Sequence, residues 1–536
     1  MKKFKFKSFK NIFPCLLLST LAGIFTGGII FLFEILAGHV SEWSSQIFGM
    51  VRDNPQWLWA LLLGAVVLGA ISALTVKYLG NCKGGGIPTS IALLRGLMDF
   101  KWLRNLVVVF FSALVTYFGG IPLGNEGPSV QMGTAVGRGT MQIFAPKHKG
   151  WDRYIMTGGA CAGFAAATLA PLTAILYAFE EAHRRFSSVI FISCATAVVA
   201  SSATIETLGH VFDHNGRMFS VTSVPVLPIK YLYTAAIIGL VTGLCGALFT
   251  KFYSAVNTFF KIKLANISLY VKIPAVFLLT AVICFCISGV AGSGRSLIET
   301  LFTGNAVWYM VFALLCLRAI MLIVANNIGI TGGLFVPTLA FGGMIGFLCG
   351  KGMVAINMLP KEHLCLAVII GIVAFLASAS RTPLMAMTFS LEALGGMTNI
   401  IPIGLGIAVS YITIELSGLL SFTDSVLENK VKAYERGEET KIIDLAVNVR
   451  EKSFAVGKEI REILWPPTCV VTSMHKKSNK KAHGGVIEAG DILYLHYTTT
   501  KPEHTLKTLE TLVGEQPDVT YQKFEVISSD QLVPEN

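Results

Sequence analysis

The sequence predicts an all-α polytopic membrane protein that ends in a small α+β domain. Three observations support this fold class. Of the 536 residues, 53% are hydrophobic and 14% are charged, whereas soluble proteins carry about 25% charged residues. Apolar runs long enough to cross a bilayer recur as far as about residue 427. Gly- and Pro-rich breaks interrupt other apolar stretches, which is typical of helices that stop inside a membrane beside a cavity.

The chain opens with a basic segment, residues 1–12, which we expect to be cytoplasmic because positive residues favour that side. The apolar run at 13–37 shows no cleavage site, so it is predicted to be a first span and not a signal peptide. Further runs of spanning length lie at 57–76, 104–121, 187–205, 229–254, 273–291, 306–325 and 400–420. We therefore predict a multi-pass domain over 13–428 in the cell (plasma or inner) membrane.

The two halves of the apolar region, about 13–210 and 228–428, repeat each other. One pattern of glycines and a proline has the same spacing in both halves: Gly124, Pro128, Gly133 and Gly137, then Gly333, Pro337, Gly342 and Gly346. A second match pairs 171–180 with 383–392. Two matches in the same order indicate an internal duplication, with a site between the repeats near the midplane.

Three breaks, at 84–88, 124–128 and 332–337, share a Gly-then-Pro form. Proline suits the first turn of a helix, so each break predicts a helix that begins inside the protein. The free amides and the positive dipole end of such a helix attract anions. A single break of this kind is usually a turn, and the prediction of an anion site depends on the set of three.

Two acidic positions are candidates for proton chemistry. Glu126 lies inside the second break, where a carboxylate is costly unless it is functional, protonated or paired. It could take the place of an anion and release that place on protonation, or it could simply cap a helix at the surface. Glu180 and Glu181 end an apolar helix just before three basic residues. Either a surface ion-pair cluster or a proton entry at the cytoplasmic edge would fit this pair.

These segments resemble the signature stretches GSGIP, GREGP and GIFAP of the CLC chloride channel and chloride/proton antiporter family, in its bacterial form, from about residue 15 to 430. The resemblance implies the CLC fold, with inverted repeats and half-spanning helices, a homodimer with one pore per subunit, and chloride/proton exchange. It implies that Glu126 is the gating glutamate and Glu181 the internal proton glutamate. The anion-binding positions that it implies are Gly85, Gly86, Asn125, Gly127, Leu334, Phe335 and Thr423.

Three positions depart from the family pattern, since Gly85 replaces Ser, Asn125 replaces Arg and Thr423 aligns with the usual Tyr. The missing hydroxyls predict weak central binding and mild discrimination among anions. The expected substrate is chloride or a similar small anion, exchanged for protons. A passive voltage- or pH-gated chloride channel, and a fluoride/proton or nitrate/proton exchanger, are the alternatives.

The polar C-terminal part divides into a predicted linker, 429–448, and a domain over 449–536. Residues 449–513 resemble the TrkA-C (RCK-C) module of potassium-channel regulators, through the segment 457–463, a strand near Val470 and Gly490-Asp491 before an apolar strand. The resemblance implies a cytoplasmic regulatory domain that dimerises and binds a small molecule. A passive dimer clamp is the alternative.

Other functional classes are disfavoured by the sequence. The net charge of +11 comes from residues at segment ends and in the C-terminal part, so membrane topology explains it better than nucleic-acid binding. No metal-ligand cluster or nucleophile–base pair stands out, so neither a cofactor, a metal nor an enzymatic activity is predicted.

Overall fold

The computed structural model describes residues 6–80, 83–84, 86–213, 216, 218–221, 224–435, 440–476, 485–515 and 523–527. Among these residues, nine helices are long and apolar enough to cross a bilayer. The predicted class of polytopic, mainly helical membrane protein is therefore confirmed.

The first half of the membrane domain is a succession of helices of very unequal length. They are α1 (Phe6–Asp53), α2 (Leu58–Leu79), α3 (Ile87–Leu94), α4 (Trp102–Phe118), α5 (Glu126–Phe144), α6 (Asp152–Thr168), α7 (Pro171–Tyr177) and α8 (Ser188–Val211). The first helix runs on well past the predicted end at residue 37 and stops just before Pro55. The eight-residue α3 and seven-residue α7 are too short to span the bilayer.

The second half follows the same plan. Its helices are α9 (Leu232–Lys263), α10 (Leu269–Cys286), α11 (Arg295–Phe302), α12 (Trp308–Ile328), α13 (Phe335–Ala355), α14 (Leu364–Ser380), α15 (Pro383–Ala393), α16 (Ile400–Leu416) and α17 (Phe422–Tyr434). Helix α13, and α14 together with the turn that starts at Lys361, were not among the predicted spans, yet both segments are of spanning length. They follow the break at 332–337, and their glycines pack against neighbouring helices.

Two exchanges of hydrogen bonds relate the halves by a local two-fold axis. The amide of Gly124 donates to the carbonyl of Gly333 (2.8 Å), and the amide of Gly333 donates to that of Gly124 (2.6 Å). These glycines occupy equivalent positions in the two repeats. The predicted inverted repeats are thus joined backbone to backbone where α5 and α13 begin.

The second exchange joins α7 and α15. The carboxylate of Glu180 accepts from the amides of Leu384 and Met385 (3.0 and 2.6 Å). In return, the carboxylate of Glu392 accepts from the amides of Leu172 and Thr173 (2.8 and 2.9 Å). Each helix therefore begins under a carboxylate from the other half, which satisfies amides that would otherwise lack a partner.

The glycines of the repeat allow close helix packing. A Cβ atom on Gly133 in α5 would lie 2.1 Å from the carbonyl oxygen of Gly159 in α6, and one on Gly342 in α13 would lie 2.4 Å from that of Gly371 in α14. Both distances exclude any larger side chain. The spacing seen in the sequence thus marks two equivalent helix pairs that meet through small residues.

The C-terminal domain contains strands β1 (Thr440–Asn448), β2 (Val470–His475) and β3 (Ile492–Thr499), helix α18 (Pro502–Val513) and strand β4 (Lys523–Ile527). The described strands form an antiparallel sheet in the order β2-β3-β1-β4. The predicted linker of 429–448 needs correction at both ends. Its start lies inside α17, and its end is β1, whose alternating buried residues pack in the domain core.

The C-terminal domain docks on the membrane domain through a short turn, residues 459–465. The hydroxyl of Tyr154 at the start of α6 donates to the carbonyl of Glu462 (2.7 Å) and accepts from the amide of Leu464 (2.9 Å). The guanidinium of Arg185 donates to the carbonyl of Ile463 (2.8 Å). Both anchoring residues lie close in sequence to helix ends around the site described next.

Candidate functional site

Three helix N-termini meet near the centre of the membrane domain. A Cβ atom on Gly127, in the first turn of α5, would lie 2.5 Å from the Cα of Gly333 and 2.8 Å from that of Gly86. Gly333 lies two residues before the start of α13, and Gly86 immediately precedes α3. The three Gly-then-Pro breaks therefore converge, and their amide dipoles point toward one region, as an anion site requires.

Glu126 is the first residue of α5 and its side chain is only 2% exposed. Its carboxylate accepts hydrogen bonds from its own amide and from the amide of Val336 in the first turn of α13. The carboxylate therefore lies on the N-terminus of the opposing helix, the kind of position that suits an anion. Its Oε2 atom is buried and has no hydrogen-bond partner within the described residues.

A cavity on the same helix ends brings four of the predicted site residues together. Its wall includes Glu181, Leu334, Phe335 and Thr423. The backbone of Leu334 and Phe335 forms the start of α13. The start of α13, where the predicted anion-binding amides lie, and the side chain of Glu181 thus border one cavity.

Glu181 lies in a π-helical turn, Ala178–Ala182, and is 4% exposed. The Thr423 hydroxyl forms a side-chain hydrogen bond with its carboxylate. Arg95, at the end of α3, donates to the carbonyl oxygens of Glu181 (2.9 Å) and Ala182 (2.7 Å). The backbone that carries Glu181 is therefore held by α3, one of the three helices whose N-termini meet.

The structure separates the two neighbouring acids of the sequence. Glu180 caps α15, whereas Glu181 faces the cavity. Arg184 pairs with Asp424 (2.6 Å) rather than with either of them. Among the described residues, neither acid forms an ion pair with the basic residues that follow, although the charges of Arg184 and Arg95 reach Glu181.

The remaining predicted anion-binding positions differ in their surroundings. Gly85 lies outside the described residues. The amide of Gly86 donates to Gln131 Oε1 (3.0 Å), so it already has an acceptor. The side-chain amide of Asn125 donates to the carboxylate of Glu34.

Glu34, Gln131 and Arg95 were not predicted as site residues. Glu34 could have been found, because it is a lone acid in the apolar run at 13–37, and an intramembrane carboxylate is a candidate by default. Gln131 and Arg95 gave no such signal, since their contacts depend on how α3 and α5 pack together.

This chain is similar in sequence and fold to known membrane transport proteins. A family model described as voltage gated chloride channel matches residues 68–415. The X-ray structure of a slow cyanobacterial Cl⁻/H⁺ antiporter has 21% sequence identity and a TM-score of 0.72, covering 79% of this chain and 99% of that chain. A eukaryotic CLC transporter has 20% identity and a TM-score of 0.64, covering 78% of this chain and 74% of that one. A CLC-type fluoride/proton antiporter has 20% identity and a TM-score of 0.63, covering 77% and 96%.

The inverted repeats and the opposed helix N-termini define an anion transporter of the membrane. The chain belongs to the voltage gated chloride channel family, the CLC proteins.

Proposed function

We propose that this protein is a secondary active transporter, and not an enzyme, that exchanges chloride or a similar small anion for protons. The observation that carries the proposal is the hydrogen bond that the Glu126 carboxylate accepts from the amide of Val336. A negative group held there by a helix N-terminus competes with a free anion for the same donors.

Proton binding links the two fluxes at this residue. When Glu126 is protonated, it loses the charge that the helix N-terminus attracts, so an anion can take its place. When the anion leaves, the deprotonated carboxylate returns. Anion occupancy and proton occupancy of one position therefore alternate.

Glu181 is proposed to carry protons on the other side of the site. Its carboxylate faces the cavity that also contains Leu334 and Phe335. It is the buried acid that a proton would meet after crossing the interface near α17. Thr423, through its hydroxyl, would keep this carboxylate oriented.

Chloride is the proposed substrate class, and fluoride and nitrate are the anions to compare with it. The similar structures include a Cl⁻/H⁺ antiporter and a CLC-type fluoride/proton antiporter, which supports coupled exchange over a passive channel. We further propose a homodimer in the cell membrane, with the N-terminus and the C-terminal domain in the cytoplasm. The C-terminal domain is proposed to be regulatory, of the TrkA-C type, and to bind a small molecule.

Flux measurements on purified protein in liposomes test the proposal. An anion gradient should drive protons uphill, and the reversal potential should shift with a pH gradient. Glu126→Gln should retain anion flux and reduce proton flux by about 100-fold or more, because the amide cannot carry a proton. Glu206→Gln, at an exposed position of α8, is the matched control and should behave as wild type. A reversal potential that ignores pH would identify a passive channel instead.

A further inference from the structure

Glu34 brings a second carboxylate to the anion gate. It lies on α1, about 30 Å along that helix from Cys15 at 1.5 Å per residue. Cys15 lies near Lys458 of the C-terminal domain. Glu34 is therefore far from that domain. Its carboxylate accepts a hydrogen bond from the side-chain amide of Asn125. The Oε1 atom of Glu34 is buried and has no hydrogen-bond partner among the residues described.

Asn125 joins Glu34 to Glu126, since Glu126 is the next residue of the chain. Both carboxylates thus have one buried oxygen without a partner in the described structure, and the charge of Glu126 reaches Glu34. The phenol of Tyr117, on α4, lies within range of both charges, and its hydroxyl donates to the carbonyl of Gly124 (2.7 Å).

The remaining neighbours of Glu34 are a serine and a cation. Ser129 on α5 forms a side-chain hydrogen bond with Glu34, and the charge of Arg295, at the exposed start of α11, reaches both carboxylates. Asn125 itself supplies a donor but no positive charge. Two close carboxylates in a low-dielectric surrounding cannot both be ionised at low cost, so such a pair tends to retain a proton.

We propose that Glu34 is a second proton-binding site of the gate and that it exchanges its proton with Glu126. This inference rests on the proposed anion/proton exchange and adds to it the residue that supplies the gate with protons. In the transfer, the O–H bond of Glu34 breaks and the proton bonds to the Glu126 carboxylate. Glu34 is then a carboxylate that keeps the Asn125 donor, and it regains a proton from water on the side of the gate away from the C-terminal domain.

A transport assay tests the role of Glu34. In liposomes, Glu34→Gln should retain anion flux while the ratio of protons to anions falls by about tenfold or more, since a proton-transfer group is removed. Glu42→Gln changes an exposed acid two turns further along α1 and should leave the ratio unchanged. A normal ratio in Glu34→Gln would overturn the proposal.

Infrared spectroscopy of the protein at rest tests proton binding without any transport. The carbonyl stretch of a protonated carboxyl group should disappear in Glu34→Gln, and Glu126→Gln should shift the pH at which it titrates. Asn125→Arg, which leaves Glu34 in place, should also remove the band, because a cation would hold Glu34 ionised. If wild type moves no protons but shows these bands, the exchange function fails while the proton site stands. If Glu34→Gln and Asn125→Arg remove no band at any pH, Glu34 is permanently ionised and the proposal is wrong.

Discussion

At the scale of single residues, the site is distinguished by where its hydroxyl groups lie. The family pattern suggested that Thr423 is a shortened anion ligand. In the structure its hydroxyl is hydrogen-bonded to the carboxylate of Glu181. Thr338 lines the same cavity, but its hydroxyl donates to the carbonyl of Phe335 (2.6 Å) in its own helix. Both threonines therefore line the cavity, but only the hydroxyl of Thr423 contacts the acid. Comparing variants of the two residues tests the effect of that contact.

Thr423→Val should leave chloride affinity unchanged in calorimetry and should slow proton transport. Valine keeps the shape of threonine but removes a hydrogen bond to an acidic group, which is worth about 1.5–3 kcal/mol. Thr338→Val, the matched control, should change neither quantity. A loss of chloride affinity in Thr423→Val alone would restore Thr423 as a direct anion ligand.

At the scale of secondary-structure elements, α7 and α15 depend on each other. Neither helix has a side-chain cap from its own preceding residue. Each instead receives a carboxylate across the two-fold axis, and the hydroxyl of Thr173 adds a further donor to Glu392 (2.6 Å). Acidic groups at helix N-termini stabilise both the free amides and the dipole.

Glu180→Ala and Glu392→Ala should each destabilise the fold by about 1–2 kcal/mol, the typical cost of a lost helix cap. Thermal unfolding in detergent, followed by circular dichroism, measures this as a lower Tm. Glu206→Ala, on the exposed side of α8, should leave Tm unchanged. Equal Tm values for all three variants would show that the exchanged carboxylates do not stabilise the helix pair.

Docking of the C-terminal domain should depend on pH through Lys458. Its amino group lies over the rings of Phe454 (3.6 Å) and Trp151 (5.1 Å), and burial lowers the pKa of Lys458 from 10.5 to about 8. The undocked, solvated amine binds its proton more tightly, so protonation favours release of the domain. Docking is thus weakest below pH 8 and strengthens up to pH 10.5, by at most about 1.4 kcal/mol per pH unit.

Energy transfer between a dye on the C-terminal domain and one on the membrane domain measures this docking. Transfer should increase as the pH rises from 8 to 10.5. Lys458→Met should remove the dependence, since methionine does not titrate. The same pH dependence in this variant would assign it to another group.

At the scale of the whole molecule, the sequence was most informative where a physical requirement leaves few choices. Apolar length predicted most of the spans, and the repeated glycines predicted both the duplication and the meeting of α5 and α13. The sequence could not predict that α1 continues to Asp53 or that β1 belongs to the C-terminal sheet. Those outcomes depend on tertiary partners, as does the hydrogen bond between Asn125 and Glu34.

The membrane domain should transport without the C-terminal domain if the chain is cut after Glu435. This cut keeps α17, in which Lys430 Nζ donates to the carbonyl of Lys83 (2.8 Å) and to Thr89 Oγ1 (2.7 Å) at the start of α3. A chain that ends at Asn429 lacks those bonds and should unfold at a lower temperature. Dimer mass by light scattering and anion flux in liposomes measure the outcome. If the protein that ends at Glu435 is monomeric and inactive, the C-terminal domain is essential for assembly.

The carboxylate exchange between α7 and α15 has a consequence for biosynthesis. The amide of Leu172 reaches its acceptor on Glu392, 220 residues further along the chain. At roughly 5–20 residues per second, the ribosome delivers that acceptor on the order of ten to forty seconds later. Throughout that interval the nascent first half resides in the bilayer with the start of α7 unsatisfied. Neither half can mature before the other has been inserted, so the membrane insertion machinery must shield the start of α7 while residues 173–392 are being synthesised.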